Sequence, residues 1–310
     1  MKTIHVLLCA CTSLGMLAQA TQSQDQTSPI AEPQHLSRET ASPELGNSSL
    51  IRIPSGRLAI IADGNSPDPD DIGATAVTIG LLHASGANDR LVHLSHSCDL
   101  KPTTRIPVAD ELRRQQVMAR VCHEGINHFG PFKNLVACFN CRTERDATVT
   151  NLRDAINRSS KADPLWIIEA GEPDIIGFAL QAANPSKRQF THVVSHHAAN
   201  DNAGDFFSWQ QILDFGVVEH QIGDQNVGLQ SKMQPWHWAK THSDPRIQWI
   251  WNQLAYAEQD GVVKFQTGKF DCSDAGMLYW WITGASNGGN NQASPSDIKA
   301  MLSRVQPHDL

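Results

Sequence analysis

The chain has 310 residues, 40% hydrophobic and 18% charged, with a formal net charge of −7. Such a composition can bury a real core, which excludes a disordered chain, a collagen-like fibre and a coiled coil. The acidic balance also argues against a grip on a nucleic acid polymer, which needs clustered positive charge.

Residues 1–20 read as a signal peptide. Lys2 supplies the positive start, Ile4 to Leu17 an apolar stretch too short to span a bilayer comfortably, and Ala18-Gln19-Ala20 a small-residue cleavage site. Cys11 in a loose lipobox gives the alternative reading of a lipoprotein. Either way the mature chain is expected outside the cytoplasm, secreted or periplasmic, with no later membrane span. Residues 21–55 are rich in Thr, Gln, Ser, Pro and Glu and read as a linker. Residues 56–310 are expected to form one domain.

Within that domain apolar runs alternate with helical patterns. Leu58–Ile61 is a continuous apolar run, as in a strand buried on both faces. A helix is expected over Ile72–His83, a strand over Leu91–Leu94, and helices over Val108–Cys122 and Ala147–Asn157. Leu165–Ile168 reads as a strand, Asp174–Ala183 as a helix and Phe190–Ser195 as a strand. Helices follow over Pro245–Glu258 and Asp274–Thr283. The alternation predicts an α/β fold, a mostly parallel central sheet with helices on both faces. In such sheets ligands sit beyond the carboxyl ends of the strands.

Export bears on the cysteines. Seven are present; setting aside Cys9 and Cys11 leaves Cys98, Cys122, Cys138, Cys141 and Cys272. The Cys138-Phe139-Asn140-Cys141 spacing reads as a local disulfide, or as half of a zinc site if Cys122 and His128 join it. The odd count leaves at least one thiol unpaired within the chain.

The expected strand ends are polar in a consistent way. Asp63, Asp68, Asp70 and Asp71 fall within nine residues after the first strand. Glu169-Ala170-Gly171-Glu172-Pro173-Asp174 follows another, Ser195-His196-His197-Ala198-Ala199-Asn200 a third, and Asp271-Cys272-Ser273-Asp274 precedes the last helix. Oxygen ligands gathered from several loops suit a hard divalent cation, above all Ca2+. The plain alternative is that Asp70 and Asp71 only offset a helix dipole. All eight Trp lie from Trp166 onward. Trp249, Trp280 and Trp281 are expected in the core. Trp209, Trp236 and Trp238, in loop-like contexts, are expected to line a pocket.

The segment from Asp63 to Ala74 resembles the amino-terminal signature of the nucleoside hydrolase fold, Asp-x-Asp-Pro-Gly-x-Asp-Asp followed by a helix. Gly171-Glu172-Pro173-Asp174-Ile175-Ile176 is similar to that family's loop bearing a calcium-binding carbonyl. Asp274-Ala275-Gly276 resembles its late helix start, whose Asp is a calcium ligand, and Asn200 falls where a sugar-binding Asn stands. The wider likeness is to secreted nucleoside-hydrolase-like proteins. It implies that Asp63, Asn65, Asp71, Asp174 and Asp274 supply the metal site and that Asp70 and Asn200 hold sugar hydroxyls. It implies hydrolysis of a glycosidic bond, N-ribosyl or other, with Ca2+ as cofactor and a small-molecule nucleoside or saccharide as substrate.

The sequence also departs from that pattern. The first loop is one residue longer, and Asn65 stands where the family's base would be; an amide cannot accept that proton. Asp63 or Asp68 is then the candidate base. Ser273 stands where many members have a leaving-group His, so His196 or His197 is the candidate acid. Without base and acid, the same residues would make a non-catalytic, calcium-dependent carbohydrate clamp. A serine or cysteine hydrolase is the weakest reading, for want of a Gly-x-Ser-x-Gly elbow. A homo-oligomer is compatible with the sequence.

Overall fold

The structure, a computed structural model, describes residues 51–65, 69–260, 268–284 and 292–305. The expected signal peptide, most of the linker, and Asp68 lie outside the described residues. Ile51 and Ile53, read from sequence as linker, pack against the core, and the Arg52 amide donates to Ile282 O at 2.8 Å.

Six parallel strands form the central sheet: β1 (Arg57–Ala62), β2 (Leu91–His96), β3 (Cys138–Asn140), β4 (Leu165–Ala170), β5 (Thr191–Ser195) and β6 (Val218–Gln221). Their order is β3-β2-β1-β4-β5-β6. The connections carry α1 (Asp70–Ser85), α2 (Val108–Phe129), α3 (Arg145–Asn157) and α4 (Asp174–Ala182). β1 and β4 pair in register from Arg57↔Leu165 to Ala62↔Ala170.

Alternation along the strands feeds two separate cores. Leu58, Ile60, Trp166 and Ile168 face α1, α2 and the helices Pro245–Asp260, Ala275–Thr283 and Pro295–Leu302. Ala59, Ile61, Leu165 and Ile167 face α3, α4 and the helix Trp209–Asp214. With both faces covered, the strands can be apolar throughout, which is why β1 and β4 read as unbroken runs. Trp249, Trp280 and Trp281 are buried, as expected from sequence.

The two-sided packing corrects the cysteine reading. Cys138 packs into the first core and Cys141 into the second. Their side chains leave β3 and its end on opposite faces of the sheet, so the local bridge suggested by their spacing does not form. The five described cysteines are thiols. His128 packs its ring on Phe129 and Trp249. Among the described residues no group of three His, Cys, Asp or Glu is arranged to hold a metal ion, so the zinc alternative gains nothing here.

One buried polar contact under α3 predicts a pH effect. His93 is fully buried, with Nδ1 2.8 Å from Asn151 Oδ1 and Nε2 3.0 Å from Ser95 Oγ. Burial lowers its pKa to about 4, against the smaller opposing effect of the Asn151 hydrogen bond. The folded state therefore holds His93 neutral, and its contribution is complete above the unfolded value of roughly 6.5 and fades toward pH 4. Protonating it should cost about 2 kcal/mol by pH 5 relative to pH 7.5. The stability gap between wild type and His93→Gln, measured by urea melts at the two pH values, should shrink by that order. An equal gap at both would contradict a buried neutral imidazole.

Candidate functional site

The strand order reverses between β1 and β4. From β1 the chain turns to α1 on one face, and from β4 to α4 on the other. The loops part, and the crevice between them is the ligand position that this topology creates. Asp63 stands at its floor, directly after β1. Gly171, after β4, passes close over it: a Cβ at Gly171 would lie 2.7 Å from Asp63 Cβ and 2.6 Å from Cys98 Sγ. Only glycine allows that approach. From the other side Ser97, held at φ 59°, donates its amide to Asp63 O at 2.8 Å. A non-glycine residue in the left-handed region costs energy, and here it fixes the Asp63 loop.

Three carboxyl groups meet at this floor. The Asp63 amide donates to Asp71 Oδ2 at 2.5 Å, and the Asp71 carboxyl is in hydrogen-bond contact with the carboxyls of both Asp63 and Asp274. Burial, then the charges of Asp274 and Asp63, push Asp71 well above the usual carboxylate range. Asp63 is likewise raised well above it, by burial and then by Asp99. Burial also pushes on Asp274, but the hydrogen bond and charge of His196, with hydrogen bonds from Asp71 and Asn200, hold it below its ordinary value. Three such groups in contact require a proton or a cation among them, since bare like charges out of water repel strongly.

His196 is committed to this cluster. Its Nε2 lies 3.0 Å from Asp274 Oδ1, and its Nδ1 accepts from the Gln225 amide at 3.3 Å. The residue is 4% exposed. Burial lowers the pKa of this imidazole, but the hydrogen bond and charge of Asp274, then Asp224 and Asp271, raise it above the ordinary value, so the ring pairs with and orients a carboxylate rather than offering a proton to a leaving group. His197 differs. Its Nδ1 accepts from the Ala199 amide at 3.1 Å, capping the short helix Ala198–Asp201, so that bond engages one ring nitrogen and not the other.

Two cavities open from the floor and share Asp63, Ala199 and Asn200. The smaller, about 300 Å³, is also lined by Asp70, His196, His197 and Asp274. The larger, about 600 Å³, runs toward Asp99, Arg105, Glu172 and Asn202. Of the residues singled out from sequence, Asp63, Asp70, Asp71, His196, His197, Asn200 and Asp274 thus come together.

The others lie apart. Asp174 is fully buried, and its carboxylate accepts the amides of Asp205, Phe206 and Phe207 at 2.9, 3.0 and 2.8 Å. It fastens a loop to the start of α4 and does not turn its carboxylate to the carboxyl cluster. Asn65 donates through Nδ2 to Asp99 O at 3.2 Å and Glu111 Oε1 at 3.3 Å, while its buried Oδ1 has no partner among the described residues. Trp236 is fully buried, its Nε1 donating to Ser231 Oγ at 2.9 Å. Trp238 is half-buried against the first core, with the Lys299 ammonium 5.9 Å from its ring centre. Neither Trp lines the two cavities: Trp236 ends a single 3-10 turn and Trp238 lies in the short helix His237–Lys240, both packed against the first core.

Residues passed over in the sequence complete the larger cavity. Asp99 is raised to about 7 by burial and by Glu111, against Arg142. Glu172 is raised to about 8 by burial and by Asp99, against the Leu100 amide that its Oε2 accepts at 3.1 Å. Beneath the site lies Glu169, fully buried, with its pKa pushed well up by burial and then by Asp201. Glu169, at the end of β4, and Glu172, in the loop after it, stood in the quoted segment, where the helix-start Asp174 drew attention away from them. Asp99 carried the plainer signal of an acid three residues past β2.

Fold and site together define a parallel α/β protein with an acidic crevice at the switch point of its sheet. No protein-family model matches the chain. A protein of Formosa agariphila called "Uncharacterized protein P22" is 54% identical over 253 residues, which is 82% of this chain and 93% of that one. The chain belongs to the family of that protein. Among solved structures, a plant nucleoside hydrolase, the PpNRh1 enzyme, matches with a TM-score of 0.42 and 11% identity over 74% of this chain and 79% of that one. A likeness so distant decides nothing about activity.

Proposed function

We propose that the crevice hydrolyses a glycosidic bond in a nucleoside or saccharide with the help of a bound Ca2+-type cation. The observation that carries this reading is the contact of three carboxyl groups, Asp63, Asp71 and Asp274, at the floor of a crevice that also presents Asp70 and Asn200. The donor chemistry suits a hard cation, since all three groups offer oxygen and positive charge would relieve their repulsion; the three side chains are not spaced to hold an ion as they stand, so they would have to close on it. Asp71 and Asp274 would hold the ion, with Asp63 as a further oxygen donor; Asn65 and the Asp174 carboxylate, which lie apart, drop out of the set. Bound there, the ion would supply the positive charge that orients sugar hydroxyls and acidifies the attacking water.

The chain's own groups do the rest. Asp70 and Asn200 bind sugar hydroxyls, Asp70 as acceptor. Asp63, facing both cavities, takes the proton of the attacking water. His197 delivers a proton from Nε2 to the leaving group. The acidic surround stabilises an oxocarbenium-like transition state electrostatically. Asp63→Asn should lower turnover by about 10²-fold or more, the scale of general-base loss. His197→Gln should slow substrates with poor leaving groups more than those with good ones. Equal turnover in wild type and Asp63→Asn would remove Asp63 as base.

A second reading is favoured by one specific finding. His196, one of two candidate proton donors, has both nitrogens engaged, and Asn65 cannot act as base. If His197 also proves inert, the same crevice is a calcium-dependent carbohydrate clamp.

A further inference from the structure

The thiols of Cys122 and Cys138 sit side by side in a region that the proposed reaction does not use. Cys122 lies in α2 and is fully buried. Cys138 opens β3, the strand at the edge of the sheet, and is half-buried. Both side chains belong to the same core, on the face of the sheet that α2 covers. α2 packs on β3 here, and the neighbouring Cys122 thiol, followed by burial, raises the pKa of Cys138 well above the ordinary thiol value. Cys141 packs in the other core, against Ser95.

We propose that Cys122 and Cys138 are a disulfide site, closed when the folded protein meets an oxidised thiol compound of the glutathione disulfide class. One thiol, as thiolate, attacks a sulfur of the oxidant and releases one reduced thiol. The second thiol then attacks the mixed disulfide and releases another. One sulfur–sulfur bond forms in the protein and one breaks in the oxidant. Two electrons and two protons pass to the two glutathione molecules that leave. The closed bond would tie the middle of α2 to the edge strand. α2 also carries Glu111, which pairs with Arg142 at 3.0 Å and accepts from Asn65. The clamp would thus brace the side of the crevice that holds Asn65 and Asp99.

Peptide mapping of the full-length protein tests this directly. The chain is treated with oxidised glutathione while folded, its remaining thiols are alkylated, and it is digested with trypsin without reduction. Cleavage after Arg120, Lys133 and Arg142 places Cys122 in one peptide and both Cys138 and Cys141 in the next. A Cys122–Cys138 bond joins the two peptides, whereas a Cys138–Cys141 bond leaves them separate. The joined pair is expected in wild type and in Cys141→Ser, and is expected to vanish on adding dithiothreitol. The melting temperature of the oxidised protein should rise by about 5 °C. Separate peptides, a link that requires Cys141 or Cys98, or a stable glutathione adduct on Cys138 would each overturn the proposal. The mapping uses wild-type protein, so the test stands even if Cys122→Ser or Cys138→Ser fails to fold.

Discussion

Asp71→Ala should abolish tight calcium binding and lower turnover by at least about 10²-fold, yet leave the metal-free fold standing. Asp71 is the middle group of the carboxyl cluster, in contact with both Asp63 and Asp274. Removing it deletes an oxygen pair from the proposed cation site. It also deletes a buried acid that is repelled by Asp274, Asp63 and Asp70. The second change offsets the lost hydrogen bond from the Asp63 amide, so metal-free stability should change by no more than about 1 kcal/mol. Calorimetry with calcium, paired with melting curves in chelator, separates the two effects. Unchanged calcium affinity would take Asp71 out of the site. A large loss of metal-free stability would make it a structural residue instead.

Trp236→Ala should produce the largest loss of stability, about 3–5 kcal/mol, on the scale of large-to-small changes at buried aromatics. Its indole is fully buried, its ring centre lies 6.5 Å from that of Phe270, and its Nε1 is bonded to Ser231. A domain of this size should melt roughly 10 °C lower. Below that transition, KM for any substrate the wild type accepts should be unchanged, since the indole reaches neither cavity. A raised KM with normal stability would instead restore Trp236 to the binding surface.

Trp236 also marks a limit of what the sequence discloses. The run Gln234-Pro235-Trp236-His237 has no helical or strand period, so it reads as an exposed loop. In three dimensions it is a short turn lidded by the core around Phe270 and Trp251. Apolar content is visible in a sequence, but in an irregular segment the direction of burial is not. β1 and β4 were legible because strands covered on both faces are apolar at every position. β3 and β6 were not, being short edge strands, with β6 mostly exposed and polar.

The acidic crevice was legible for a different reason. Acids placed just after apolar runs mark the carboxyl edge of a parallel sheet, and Asp63, Asn200 and Asp274 arrive there from widely separated loops. What charge alone could not distinguish was the partner of each acid. Asp174 looks like a ligand in a motif, but three backbone amides occupy its carboxylate. His196 looks like a proton donor, but Asp274 and the Gln225 amide occupy its ring. Both assignments turn on chain segments distant in sequence, the loop at 205–207 and the loop at 225, which no local pattern announces.

The central claim is that this crevice breaks a glycosidic bond, and release of reducing sugar tests it most directly. The protein is incubated with a panel of nucleosides and oligosaccharides, with calcium and with chelator, beside Asp63→Asn. The account predicts new reducing ends from at least one substrate, suppressed by chelator and lowered about 10²-fold or more in the variant. Wild-type protein that binds both calcium and sugar yet releases no reducing sugar from any of them would contradict it, and would make the crevice a clamp.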